Sequence, residues 1–167
     1  MAAQVIPLSF GSSYIREVIG ASTGLAAIAV ILNSFSYIIG SLISGKIIGR
    51  FGGRRTAWVC ALVMSGFFFT AYSLNNLILV ITFSVCGYLF GGILYATSNN
   101  LAVEQAPSIR ATMTSVFIAV IALGNTFGNT VGGFSLASYG YGSLRFILAT
   151  FGILCSFIYA SFFHETK

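Results

Sequence analysis

Five long apolar runs, separated by short polar connections, constrain the fold of this chain more than any other feature of its sequence. A helix needs about 20 largely apolar residues to cross a bilayer, and each run is close to that length. Segments in lipid must satisfy their own backbone hydrogen bonds, and no run shows the strict alternation of a barrel strand. The sequence therefore predicts an all-α, polytopic membrane protein. Its five transmembrane helices are predicted at residues 22–44, 56–74, 77–100, 112–136 and 143–163.

The low charge content agrees with a membrane protein and argues against a nucleic-acid partner. Only 7% of the residues are charged, whereas soluble domains carry about 25%. The net charge of +5 comes from only eight Lys and Arg residues, half of them in one connection. A nucleic-acid surface needs a broad, solvated basic face. We therefore expect the lipid bilayer as the surroundings and no nucleic acid as a partner.

The residues from which enzymes and metal sites are built are scarce. Cys60, Cys86 and Cys155 lie inside apolar runs without a C-x-x-C pair, and the one histidine is His164. Isolated thiols of this kind behave as small hydrophobic residues. No charged residue lies in the middle of a run, where a charge is costly and usually functional when present. The sequence predicts no enzyme activity, no metal and no cofactor.

The basic residues divide unevenly between the two sides of the predicted membrane. With five spans, six of the eight Lys and Arg residues fall on one side and two, Arg16 and Arg145, on the other. Lys and Arg concentrate in cytoplasmic loops. We therefore predict a multi-pass protein of the cell membrane with a cytoplasmic C-terminus. The six cytoplasmic residues are Lys46, Arg50, Arg54, Arg55, Arg110 and Lys167.

The first 21 residues differ from the rest of the chain. They are too short and too polar for a predicted span, and they lack the basic start of a signal peptide. The charge bias places the N-terminus outside, which is natural if a helix precedes the chain. We interpret 1–21 as an outer segment, the remnant of a preceding helix and loop, and 22–167 as a five-helix transmembrane half-domain.

The connection GKIIGRFGGRR, residues 45–55, resembles the loop motif G-x-x-x-D-R-x-G-R-R-R of major facilitator superfamily transporters. Gly49 replaces the usual Asp of that motif, and Gly53 replaces an Arg. The positions that match are Gly45, Arg50, Gly52, Arg54 and Arg55.

Three further stretches are similar to motifs of the same family. Glu104, Pro107 and Arg110 follow its E-x-x-P-x-x-R loop. The stretch 124–133 is similar to the G-x-x-x-G-P-x-x-G-G motif of drug antiporters, with Asn129 in place of Pro. The last three residues, ETK, match the P-E-T-K ending of many porters. The resemblance covers about 22–167.

The departures from these motifs favour the C-terminal half of a two-half carrier. The loop Asp, an early Arg in the fourth helix and the Pro of the fifth helix mark the first half, and all three are missing. The resemblance thus implies the eighth to twelfth helices of a drug:proton antiporter-type permease; an eroded first half is the less favoured assignment. It implies transport of an unknown small organic solute by alternating access, possible efflux of drugs, and a partner that is the N-terminal half or a second copy. The alternative is a non-transporting membrane subunit or a truncated transporter fragment.

Polar and aromatic residues inside two runs are candidates for a solute cavity. Polar groups at bilayer depth usually face the protein interior or a water-filled cavity. They can serve either as interhelical hydrogen bonds or as cavity lining, and the resemblance favours lining for Tyr88 and Tyr95. The full candidate set is Asn33, Tyr37, Tyr88, Tyr95 and Asn99.

Glycines recur at four-residue spacing and predict close helix packing. Small residues on one face let transmembrane backbones approach each other. Static packing is the favoured interpretation over a sliding surface, and Asn125 and Asn129 are predicted to bond between helices. The packing candidates are Gly87, Gly91, Gly124, Gly128 and Gly132.

Glu104, the one acid in the predicted cytoplasmic loops before the C-terminus, suggests a gate. We predict that Glu104 pairs with one of the cytoplasmic arginines, Arg50, Arg54, Arg55 or Arg110, when the cytoplasmic side is shut, and that the pair breaks on opening. Exposed pairs contribute about 0–1 kcal/mol, so this one would bias a conformational balance without fixing it.

Overall fold

The computed structural model describes the backbone of residues 2–162 and the side chains of 5–161. The terminal motif ETK, His164 and Lys167 lie outside this part, so their predicted roles stay predictions. Within it the chain is helical and contains no strand. The helices are α1 (Ala2–Glu17), α2 (Thr23–Phe51), α3 (Gly53–Ala71), α4 (Leu77–Glu104), α5 (Arg110–Tyr139) and α6 (Leu144–Phe162), with 3₁₀ turns at Pro107–Ile109 and Tyr141–Ser143.

Four helical segments of the described chain are long and apolar enough to cross a membrane, not the five that we predicted. They are Thr23–Phe51, Leu77–Glu104, Pro107–Tyr139 and Tyr141–Ser161. The predicted span 56–74 corresponds to α3, which does not meet the same criterion. The reason is that Arg54 and Arg55 belong to the first turn of this 19-residue helix and lower its mean hydropathy.

The prediction of a loop at 45–55 is wrong, because nearly all of this stretch is helical. Helix α2 continues through Gly45 and Arg50 to Phe51, and α3 begins at Gly53. Only Gly52 interrupts the helices, with a φ of 82° that favours glycine. A helix of 29 residues is about 43 Å long at 1.5 Å per residue. It therefore outlasts a hydrocarbon core of about 30 Å, and its last turns carry the basic residues.

Helix α4 lies at the centre of the bundle, between α2 and α3, and α6 packs on the other side of α3. Glycines allow the close approach of α2 and α4. A Cβ on Gly40 would overlap the carbonyl oxygen of Leu89, and a Cβ on Gly92 would overlap that of Tyr37. The hydroxyl of Ser36 also donates to the carbonyl of the facing helix at Val85, at 2.7 Å.

Helix α1 packs mainly against α5 and joins the same hydrophobic core as the later helices. Its residues Ile6, Tyr14 and Ile15 are buried. At the α1–α5 contact, Ser9 Oγ donates to Asn129 Oδ1 at 2.8 Å. The first 21 residues therefore contribute a helix to the bundle and not only a connection.

Candidate functional site

A cavity of about 390 Å³ opens between α1, α2, α4 and α5. Sites for small molecules usually measure about 300–1,000 Å³, are mostly apolar and carry a few convergent polar groups. This cavity has the same character, because its wall combines aliphatic and aromatic side chains with a few hydroxyl and amide groups. Its lining residues are Val5, Leu8, Ser34, Tyr37, Ile38, Tyr88, Tyr95, Ile121 and Asn125.

Aromatic contacts hold the three tyrosines of the cavity in place. The ring centroids of Tyr37 on α2 and Tyr95 on α4 lie 6.0 Å apart, and those of Tyr95 and Phe117 on α5 lie 5.7 Å apart. Tyr88 is buried and meets Phe68 of α3 edge-on, with ring centroids 5.2 Å apart. Helices α2 and α4 cross at Gly92, and their close approach there allows the contact between Tyr37 and Tyr95. Each ring is thus fixed by a neighbouring helix.

The polar groups of the cavity are uncharged. No Asp, Glu, Lys, Arg or His occurs among its lining residues. Ser34 already donates to the carbonyl of Val30 in its own helix, at 2.9 Å. Tyrosine hydroxyls and the Asn125 amide can donate to or accept from a solute, and tyrosine faces attract cations. The arrangement suits an uncharged solute or a delocalised organic cation with a large apolar body.

Three of the five predicted cavity residues converge on this site, and two do not. Tyr37, Tyr88 and Tyr95 line it, whereas Asn33 and Asn99 lie elsewhere on the same helices. Asn33 lines a separate small cavity. The Oδ1 atom of Asn99 is buried and has no hydrogen-bond partner within the described residues.

Sequence reasoning missed the part of the wall that α1 and α5 supply. Val5 and Leu8 come from the segment that we interpreted as an outer remnant, so no pattern directed attention to them. Asn125, which was predicted to bond between helices, lines the cavity together with Ile121 four residues earlier. The four-residue spacing of Ile121 and Asn125 on α5 was a usable signal.

Two of the five predicted packing glycines face side chains of a neighbouring helix. Gly87 of α4 faces the Phe68 ring, and Gly132 of α5 faces Phe10 and Ile6 of α1. Gly91 and Gly128 are buried, and Gly124 is half-buried.

The arginines of the 45–55 motif are not equivalent. Arg54 donates through Nε to the carbonyl of Tyr159 at 3.3 Å and through Nη2 to the carbonyl of Ala160. Terminal carbonyls of a helix lack partners in the helix and carry partial negative charge. Arg54 therefore joins the start of α3 to the last turns of α6. Arg55 is exposed, and the Arg50 guanidinium lies 5.6 Å from the ring centroid of Phe51.

The structure does not bring Glu104 to an arginine. Its carboxylate accepts from Asn100 Nδ2 one turn earlier at 2.7 Å, and no ion pair involves it among the residues that the structure describes. Arg110 is exposed at the start of α5. The predicted gate pair is therefore absent from this conformation and stays a prediction for another one.

The described residues contain no group of three or more His, Cys, Asp or Glu side chains that could hold a metal ion. The cysteines are free thiols.

Comparison with known families gives one match. The sequence model of the family described as the Major Facilitator Superfamily matches residues 1–167, and so includes α1 as well as the later helices. A comparison with curated protein sequences finds no match.

Proposed function

The chain belongs to the major facilitator superfamily, a family of secondary transporters, and from this premise we propose that it forms one half of a carrier for a small organic solute. The observation that carries the proposal is the cavity of about 390 Å³ with its three fixed tyrosines. A carrier site near the bilayer midplane, between two helical halves, is the expected place for a solute in alternating access.

The proposed half is the C-terminal one, with five spans and a cytoplasmic C-terminus. Helix α3 would be the fifth span despite its lower hydropathy, because most of its surface packs against protein and only one face, with Val59, Leu62 and Phe69, is exposed. It lies between α4 and α6, and its side chains Ala57, Cys60, Ala61, Met64 and Phe68 are buried. Helix α1 would then be the end of the preceding, seventh span.

A second helical half would complete the carrier. Alternating access requires two bundles that rock about a central site, and the cavity described above has walls from only one. The second wall would be the N-terminal half of the transporter or a second copy of this chain.

The proposed solute is an uncharged or delocalised cationic organic molecule, which includes many drugs. The cavity offers aromatic faces and neutral hydrogen-bonding groups but no charge that would pair with an ionised solute. If the carrier exports its solute in exchange for protons, the proton-binding acid belongs to the other half, because no run of this chain carries one at mid-span.

The test is efflux of a fluorescent cationic dye from cells that lack their own pumps. The chain is expressed alone and with a first half, each with and without a protonophore. We expect protonophore-sensitive efflux only in the presence of the first half, and its loss in Tyr95→Ala. Tyr139→Ala is the matched control, because Tyr139 is exposed at the end of α5. Correctly inserted protein without efflux in any arm would favour the alternative, a non-transporting subunit or fragment.

A further inference from the structure

A second, much smaller cavity lies beside the solute cavity, where α1, α2 and α4 meet the end of α3. Its volume is about 20 Å³. A cavity needs roughly 10–15 Å³ of volume open to the centre of a water-sized sphere to hold one water molecule. The two cavities share the side chains of Leu8 and Tyr88, so they are neighbours in the bundle. Residues with polar groups that line the small one are Ser12, Tyr14, Asn33, Tyr72, Ser84 and Tyr88.

Two residues of this wall each have a buried polar atom without a hydrogen-bond partner among the described residues. The atoms are Oδ1 of Asn33 on α2 and the hydroxyl oxygen of Tyr72 after α3, and neither forms a hydrogen bond with any described residue. Tyr72 is only 6% exposed. Buried polar groups in native proteins are almost always bonded to protein or to ordered water. Two such atoms on the wall of one cavity therefore point to a ligand inside it.

We propose that the small cavity is the binding site of a single ordered water molecule. The amide oxygen of Asn33 can only accept, and the hydroxyl of Tyr72 can donate. A water molecule matches both, because it donates to Asn33 and accepts from Tyr72. It would link α2 to the connection between α3 and α4, which Tyr14 of α1 already contacts through a 2.9 Å bond to the carbonyl of Leu74.

A metal cation fits the same site less well. Hard cations such as Ca²⁺ take six to eight oxygen ligands and usually at least one carboxylate. The lining of this cavity contains no acid. The proposal rests on this geometry alone and is independent of the transport function.

Glycine at position 11 offers a way to remove the water without disturbing the fold. A Cβ on Gly11 would lie 3.4 Å from the Tyr72 hydroxyl oxygen, an ordinary contact that would occupy the cavity with a methyl group. Gly66 provides the matched control, because a Cβ there meets nothing within 4 Å. Both glycines lie inside helices, so the change from glycine to alanine raises the helix propensity in both variants.

The experiment is X-ray radiolytic hydroxylation of the purified chain in lipid nanodiscs, read by mass spectrometry. Hydroxyl radicals form from water, so a buried ring is modified only where a water molecule contacts it. We expect Tyr72 to be modified in the wild type and in Gly66→Ala. In Gly11→Ala the modification should fall to the level of Phe68, which is 1% exposed and does not line the cavity.

Three results would overturn the proposal. Tyr72 could stay unmodified in the wild type, which would show a dry cavity. Phe68 could be modified as strongly as Tyr72, which would show general solvent entry. Tyr72 modification could fall when sodium replaces choline in the buffer, which would show a cation in the site. Equal modification in both salts supports water.

Discussion

At the scale of single residues, Arg54 shows how one position of a basic motif takes a structural role that its neighbour lacks. Arg54 reaches two carbonyls at the end of α6, whereas Arg55 is exposed to the surroundings. The sequence predicts both arginines as topology anchors and cannot separate them, because the acceptors lie about one hundred residues further along the chain.

We predict that Arg54→Ala loosens the end of α6 and that Arg55→Ala does not. Hydrogen bonds from a charged donor contribute about 1.5–3 kcal/mol when buried, and partial exposure of Arg54 reduces this to about 1 kcal/mol. Amide hydrogen exchange in lipid nanodiscs should accelerate over the last two turns of α6 in Arg54→Ala only. Equal exchange in the two variants would contradict the assignment.

The sequence pattern identifies some of the cavity residues but cannot separate them from their neighbours in the same helices. Helical spacing and polarity identify Tyr37, Tyr88 and Tyr95, since period 3.6 places them on related faces of two helices. The same spacing also selects Asn33 and Asn99, which lie one turn away and do not line this cavity. The pattern does not show which neighbouring helix packs against each helical turn, because this depends on where the helices cross.

At the scale of helices, existence is predicted better than ends. The predicted spans 77–100, 112–136 and 143–163 agree with α4, α5 and α6 to within four residues at each end. The prediction fails at 45–55, where polar and basic residues suggested a loop. Lysine and arginine form helix readily, and among the four glycines of this stretch only Gly52, with its positive φ, interrupts the helix.

The crossing of α2 and α4 depends on glycines that the predicted packing set does not contain. We predict that Gly92→Ala forces these helices apart, because its Cβ would overlap the Tyr37 carbonyl oxygen. Overpacking of this kind costs about 1–3 kcal/mol. The thermal unfolding midpoint in detergent should fall, and dye efflux should fall with it, because Tyr37 and Tyr95 would separate. Gly66→Ala, in open space on α3, should change neither; an unchanged midpoint in Gly92→Ala would refute the crossing.

At the scale of the whole molecule, the apolar exterior has two kinds of face. Helices α2 and α5 expose large hydrophobic side chains beside the cavity, and α6 exposes others on a helix that supplies no cavity lining. Composition predicts the membrane environment but cannot distinguish a face that meets lipid from one that meets protein, because lipid tails and apolar side chains are equally hydrophobic. The cavity suggests the distinction, since the second half of the proposed carrier would meet α2 and α5.

We therefore predict that a photo-reactive side chain in place of Ile38 captures a second helical half, whereas one in place of Phe157 does not. Both positions are exposed, at 54% for Ile38 and 63% for Phe157, but only Ile38 on α2 borders the cavity. The mass of the cross-linked product separates a first half from a second copy of the chain, because only the latter doubles the mass. Capture at Phe157 alone would place the partner on the wrong face and remove the cavity from the centre of the carrier. Capture at Ile38 in cells that also show efflux would join the cavity, the partner and transport in one assembly, with α2 as the boundary between the halves.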